Sequence, residues 1–559
     1  MKFKSLTILG IIALGAFLRF YKLDWGQGLF SHPDEYHIVT SVAQLSFPNQ
    51  MHPHFFSYGT VTIYLIYFTQ EILKHLSTIF NFQFIMPNSF LIGRFYSALF
   101  STLTIFIVYK ICAIFFTNRK FTLIAAFLTG ITPGLIQQAH FATPESSLTF
   151  FLFGSLLFII KFVKQNKILF PVLASIFLSF AMGTKISSIV FLLPLITAVI
   201  IKFYLKKLSF KTPVLFIKQA LERLLKFTSF MAIILIIVIV AFVFVAPYVF
   251  LDFPAFRSTL EYEGGLAMGK FSVFYTRQFI DTVPVLFQIE KILPYALGPF
   301  LLLFSSLGFM FIVINLIIKL KKELFVIIVA FLSLFLANAF LFAKWTRFIA
   351  PTFPFFAIFA SFLLDKLYSK SKSISKLLTI ILLIGTFLWT TAFFSIYLHS
   401  DVRITASNWI EKNFPENSTI LIEGGNMIDV PLRGSFKRIS LDFYNLEIDA
   451  QTRSKIASGL DNANYFLVQS RRVFMNHQRL PRIFPITSNF YNALFNGKMG
   501  FAQIQEFHSY PMLKIGNFKL EFPDETAEET WSVFDHPVIR VFKKTQQLSV
   551  GDYAKFLEI

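Results

Sequence analysis

The sequence predicts a polytopic all-α membrane bundle of about eleven transmembrane helices, followed by a C-terminal extracytoplasmic α/β domain. Three observations predict it. Of 559 residues, 55% are hydrophobic and 76 are Phe, a composition far too apolar for a soluble protein. The apolar residues of the first 398 positions fall in runs long enough to cross a bilayer, separated by short basic segments. Beyond His399-Ser400-Asp401 the runs stop, and turn residues alternate with short β-like and amphipathic stretches.

In chain order, the runs lie at 5–22, 91–116, 121–140, 146–163, 168–184, 187–205, 228–250, 293–318, 323–342, 347–365 and 376–397. The first begins with Met1-Lys2-Phe3-Lys4 and ends in Arg19-Phe20-Tyr21-Lys22 rather than at a small-residue cleavage site, as expected of a retained signal anchor. A further apolar stretch, 57–75, decides the sidedness of everything after it. If Lys2 and Lys4 are cytoplasmic and 57–75 does not span, five basic clusters all fall inside, as the positive-inside rule requires. These are Arg119-Lys120, Lys161 to Lys167, Lys202 to Lys226, Lys319 to Lys322 and Lys366 to Lys376. The aromatic and polar character of 57–75 suits an interfacial helix. The expected module at 1–398 therefore has long outer loops at 23–90, with in-plane helices, and at 251–292. The N-terminus is expected to be cytoplasmic.

The tail, 399–559, is expected to form a soluble extracytoplasmic domain. Val402 to Asn413 reads as an amphipathic helix. Thr419 to Ile422, Tyr465 to Val468 and Val538 to Phe542 read as strands, and Glu423-Gly424-Gly425-Asn426 as turn residues. About 160 residues suffice to bury a core.

The formal charge of +20 does not point to nucleic acid, because the Lys and Arg of the bundle mark topology beside anionic lipid and no basic-aromatic module appears. The one cysteine, Cys112, lies inside an apolar run, so neither a disulfide framework nor a thiolate metal site is expected. No glycine-rich phosphate loop and no nucleophile elbow are visible, leaving nucleotide-driven chemistry without support.

The polar residues that remain collect on the outer side. Asp34 and Glu35 follow the first run, and Glu145 opens the fourth. Lys185 lies between the fifth and sixth, and Lys344 and Arg347 lie between the ninth and tenth. Ionisable groups at a membrane boundary are functional candidates. A carboxylate can accept an acceptor's proton while fixed cations offset charge on a departing lipid phosphate. Each residue also has a plain structural reading. The acids could cap helices that begin beside Pro33 and Pro144, and the cations could be boundary residues reaching for water. His32, His37, His52, His54 and His140 share that side and would allow a divalent metal, though their spacing matches no ligand motif.

Several segments in order along the chain carry a resemblance. They are Leu18-Arg19-Phe20-Tyr21-Lys22-Leu23 with Asp34-Glu35; His52-Pro53-His54-Phe55-Phe56-Ser57-Tyr58-Gly59; Gly93-Arg94-Phe95-Tyr96-Ser97-Ala98; Thr132-Pro133 with Thr143-Pro144-Glu145; Gly183-Thr184-Lys185; and Arg347-Phe348-Ile349-Ala350-Pro351. The tail adds Ala406-Ser407-Asn408-Trp409-Ile410 and Phe534-Asp535-His536-Pro537-Val538. Together they resemble the GT-C superfamily of membrane glycosyltransferases, in the branch of protein O-mannosyltransferases, aminoarabinose transferases and phospholipid-carrier-dependent enzymes.

The resemblance implies an extracytoplasmic active site and a polyprenyl-phosphate-linked sugar as donor. It maps the catalytic carboxylate to Asp34 with Glu35 beside it, and a second acid to Glu145, where the family commonly has Asp. Lys185, Arg347 and Lys344 are the matches for residues holding the carrier phosphate. The expected reaction is an inverting hexosyl or pentosyl transfer to a protein, lipid or glycan. Two rivals stand beside it: a transporter or flippase of a lipid-linked or polar substrate, and a ligase or polymerase using a diphosphate-linked glycan. Against the transporter, the acids lie at the boundary rather than mid-span, and no broken inverted repeats appear.

Overall fold

The computed structural model describes residues 2–80, 87–116, 118–204, 213–318, 321–424 and 429–559. They divide into two compact units. One comprises Met1–Leu23, Asp34–Met268 and Val283–Thr390; the other comprises Asp24–Pro33, Gly269–Thr282 and Thr391–Ile559. The second unit thus begins before residue 399 and takes in short stretches of both long loops.

The first unit is a helical bundle. Among the described residues, eight helices are long and apolar enough to cross a membrane, or nine if the bent pair Arg119–Gly130 and Pro133–Ala139 is one span. Two shorter apolar helices, Leu6–Phe20 and Leu169–Thr184, fall where the remaining runs were read. Thr60–Phe80, expected to be interfacial, is not among the spanning candidates. The run read as continuous at 121–140 is bent by 51°. Pro133 supplies no N–H to the preceding turn and forces the residue before it out of the helical region; Thr132 sits at φ −70°, ψ 117°.

Burial ranks the helices. The Thr346–Lys370 and Glu145–Gln165 spans have 94% and 78% of their apolar windows enclosed by protein, against 22% for Leu215–Val245. The first two form the centre, and the third is left for lipid. Close approach depends on small residues, as membrane helices require. A Cβ on Gly308 would lie 2.1 Å from the carbonyl oxygen of Phe359. Arg19 is wholly buried and fully engaged. It donates to Ser101 Oγ at 2.7 Å and to the carbonyls of Gly15, Gly130 and Thr129 at 3.0, 2.6 and 3.1 Å, pinning three helices together.

The second unit is built on a sheet. Its strands are β1 (Thr419–Gly424), β2 (Lys437–Asp442), β3 (Tyr465–Val468), β4 (Phe501–Phe507), β5 (Met512–Ile515), β6 (Phe518–Glu521) and β7 (Ile539–Lys544). Five of them form one sheet in the order β2-β1-β3-β7-β4, and β5 pairs with β6. Strand β1 runs parallel to β2 and β3, whereas β7 runs antiparallel to β3 and β4. Side chains alternate across the sheet. Leu421, Phe466 and Phe542 enter one core with Ile456 and Phe490. Ile420, Ile422, Leu467 and Val541 enter another with Val402 and Ile410. The helix Val402–Asn413 begins where Asp401 accepts from the Arg403 N–H at 2.7 Å.

Two differences from the sequence reading stand out. Glu423 and Gly424, read as turn residues, end strand β1, while Gly425 and Asn426 lie outside the described residues, as do Lys206, Lys207, Lys211 and Lys319 of the basic clusters. Strands β2 and β4 went unread because both are sheet edges with few buried side chains, so neither carries an apolar run.

Candidate active site

Pro33 opens the helix Pro33–Ala43, where a missing N–H costs nothing, and places Asp34 and Glu35 in its first turn. A helix turns about 100° per residue, so the two acids point apart. Glu35 is fully buried and takes both prongs of Arg94, with Nε to Oε1 at 2.8 Å and Nη2 to Oε2 at 2.9 Å. The Ala142 N–H also donates to Oε1 at 2.7 Å, and Arg94 Nη1 donates to the Leu23 carbonyl at 2.7 Å. Glu35 therefore joins its own helix to Ser89–Phe115 and to the segment leading into Glu145.

Asp34 faces a different set. Its Oδ2 lies 3.0 Å from Arg347 Nη1, and it accepts a hydrogen bond from the Tyr58 hydroxyl. Burial pushes the Tyr58 phenol well above its ordinary pKa. The charges of Asp34 and Glu145 add to that push, and Arg347 opposes it. Tyr58 is thus a neutral donor within electrostatic reach of both acids.

Glu145 begins the Glu145–Gln165 helix and is almost wholly enclosed. Its Oε1 pairs with Lys185 Nζ at 3.2 Å, while Oε2 has no hydrogen-bond partner among the described residues. Lys185 sits in extended conformation where the Leu169–Thr184 helix stops, and its ammonium lies 4.7 Å from the Phe348 ring and 5.5 Å from that of Tyr58. The Arg347 guanidinium lies 4.8 Å from Trp345 and 5.9 Å from Phe348. Two acid–cation pairs thus meet around Tyr58 and Phe348.

The backbone beside Tyr58 fixes this meeting. The Gly59 N–H donates to the Thr184 carbonyl at 2.9 Å, and a Cβ on Gly59 would fall 2.0 Å from the Gly183 oxygen. Only glycine lets the chain carrying Tyr58 dock on the turn carrying Lys185.

Lys344 is buried but turned elsewhere, donating to the Phe342 carbonyl at 2.9 Å; burial lowers its pKa. The histidines have separate partners. His140 bonds the carbonyls of Ile136 and Tyr21, His52 pairs with Asp252 at 3.1 Å and packs on His54, His37 stacks on Phe55, and His32 packs on Phe534. Among the described residues, no three His, Cys, Asp or Glu side chains gather as a metal requires. Asp34 and Glu145 each face a cation that would repel a divalent ion, so this cluster does not fit one.

Sequence reasoning assigned no role to Tyr58, Phe348 or Arg94. A signal existed for Arg94, since a lone arginine inside an apolar helix needs a buried acid. Tyr58 and Phe348 carried none beyond their places in the segments already noted.

A family model described as Dolichyl-phosphate-mannose-protein mannosyltransferase matches residues 78–249. The archaeal oligosaccharyltransferase AglB from Archaeoglobus fulgidus, solved with an inhibitory peptide and a dolichol-phosphate, is similar at 13% identity. The match covers 88% of this chain and 73% of that one, with a TM-score of 0.51. The fold is that of the GT-C glycosyltransferases. ArnT from Cupriavidus metallidurans, bound to undecaprenyl phosphate, matches 82% of this chain and 92% of its own at 14% identity, with a TM-score of 0.48. No curated protein sequence matches the chain. The family-model segment contains Arg94, Glu145 and Lys185.

Proposed function

We propose that the protein transfers a sugar from a polyprenyl-phosphate carrier to an acceptor at the extracytoplasmic face of the cell membrane, with inversion at the anomeric carbon. The observation carrying this reading is the pairing of Asp34 with Arg347 and of Glu145 with Lys185 around one tyrosine. An acceptor hydroxyl or amine attacks C1 of the sugar. Its proton passes to the Asp34 carboxylate, the bond from C1 to the phosphate oxygen breaks, and the lipid phosphate leaves with that electron pair.

Arg347 and Lys185 hold the phosphate as its charge grows. In the structure Arg347 is engaged by Asp34, so a bound phosphate competes for the guanidinium and frees the carboxylate to act as base. Tyr58 orients Asp34. The open oxygen of Glu145 accepts a hydroxyl of the sugar or acceptor. Glu35, already saturated by Arg94 and a backbone N–H, is assigned to positioning, and Lys344 to bracing the loop before Arg347.

The test is product analysis. Purified protein is incubated with labelled polyprenyl-phosphate mannose, glucose or arabinose, with the matching diphosphate donors, and with a panel of peptide, lipid and glycan acceptors. Transfer from a monophosphate donor without an ion gradient supports the reading. Turnover only from diphosphate donors, or gradient-dependent translocation without bond cleavage, contradicts it.

A further inference from the structure

The end of the bundle remote from the acid–cation cluster carries a second concentration of charge. The helix Glu145–Gln165 has Glu145 at one end and Asn166 at the other, about 30 Å away. There a cleft of about 470 Å³ opens, lined by Lys202, Arg223, Lys226 and Lys322, with Glu222 the one acid among the described residues of its lining. Four cations against one carboxylate leave a strongly positive hollow, with Glu222 lying 3.9 Å from Lys226 on the same helix. Such a concentration costs self-repulsion unless an anion offsets it.

The cleft has ordered walls. Lys202 Nζ is held over three rings, 4.6 Å from Phe230, 4.8 Å from Phe162 and 5.4 Å from Phe203. That arrangement holds the ammonium by attraction to the ring faces and shields its flank from water. Lys322 is the first residue of the helix Lys322–Ala339, whose N-terminal dipole adds positive potential.

Its surroundings are apolar. The helix Pro213–Val245 has 33 residues, about 50 Å, well beyond a hydrocarbon core of about 30 Å. On it Arg223 and Lys226 share one face with Gln219 and Glu222, whereas exposed Ile217, Leu221, Leu224 and Leu225 take the opposite face, which is left for lipid. The cleft thus opens at the end of a lipid-facing helix and has Val163, Ile201 and Phe203 in its lining, within reach of a bilayer headgroup.

We propose that this cleft is a binding site for the phosphate headgroup of an anionic phospholipid, distinct from the site that takes the sugar carrier. The phosphate lies among Lys202, Arg223 and Lys322, and the acyl chains run from the cleft past Ile201 and Phe203 into the bilayer. Basic hollows between spans on the cytoplasmic side recognise headgroups in this way.

The experiment uses the full chain in phosphatidylcholine nanodiscs, with and without phosphatidylglycerol, and reads the melting temperature. Phosphatidylglycerol raises it by about 5 °C for the wild type. The rise is lost in R223Q/K322Q and reduced in K226Q, whose exposed side chain can be changed without disturbing packing. It survives in K218Q, a surface charge of the same helix outside the cleft. A full rise in both R223Q/K322Q and K226Q, or none in the wild type, would overturn the proposal. An equal rise from soluble glycerol phosphate in phosphatidylcholine alone would overturn the lipid assignment.

Discussion

Asp34 and Glu35 share a helix turn and almost nothing else. Glu35 is sealed with Arg94 and a backbone N–H, while Asp34 meets Arg347 and Tyr58 beside a second charged pair. Sequence alone could mark the two as an acidic pair, because adjacent carboxylates in an apolar chain are conspicuous. It could not divide their roles, because that division depends on which distant side chain each direction meets. If Glu35 is structural, E35Q strands a buried guanidinium and costs about 3–5 kcal/mol, read as a lowered melting temperature and reduced folded yield. E35L/R94L removes both charges and restores much of that stability together with turnover. A well-folded E35L/R94L protein with no activity would return Glu35 to the chemistry.

At the scale of elements, the cluster depends on one backbone contact. Gly59 rests on Gly183, which docks the segment holding Tyr58 on the helix end holding Lys185. G59A must push them apart, and a displacement of about 1 Å lowers kcat about 100-fold with the helix content unchanged by circular dichroism. The sequence showed Gly59 and Gly183 in separate segments but not that they touch.

The second unit has a comparable device in Phe534-Asp535-His536. His536 Nδ1 lies 2.6 Å from Asp535 and Nε2 3.0 Å from Asp524, with Asp535 also accepting from the Tyr397 hydroxyl at 2.8 Å. Burial alone would keep the ring neutral, yet the two carboxylates outweigh it and hold the pKa at about 10. A folded pKa above the unfolded value of about 6.5 gives stability that is whole below that pH and lost as pH climbs toward 10. The melting-temperature gap between wild type and H536Q therefore shrinks from pH 6 to pH 10. A gap independent of pH would mean the histidine is neutral when folded.

For the molecule as a whole, hydropathy made the bundle legible, and short apolar β-like runs revealed β1, β3 and β7, because burial writes itself into composition. The bend at Thr132-Pro133 and the exposed edge strands escaped, since one depends on a local backbone constraint and the others on little burial. Eleven spans with a cytoplasmic N-terminus would place the tail outside, so a phosphatase fused after Ile559 should be active and a cytosol-dependent reporter silent. The reverse pattern would invert the sidedness proposed for the site.

The central claim is that Asp34 takes the acceptor's proton while Arg347 and Lys185 hold the lipid phosphate. D34N preserves shape and removes the base. Polyprenyl-phosphate sugar binding and single-turnover transfer should be measured on the same D34N preparation. The account predicts binding within a few-fold of wild type and transfer reduced by about 1,000-fold. Transfer near the wild-type rate would contradict it.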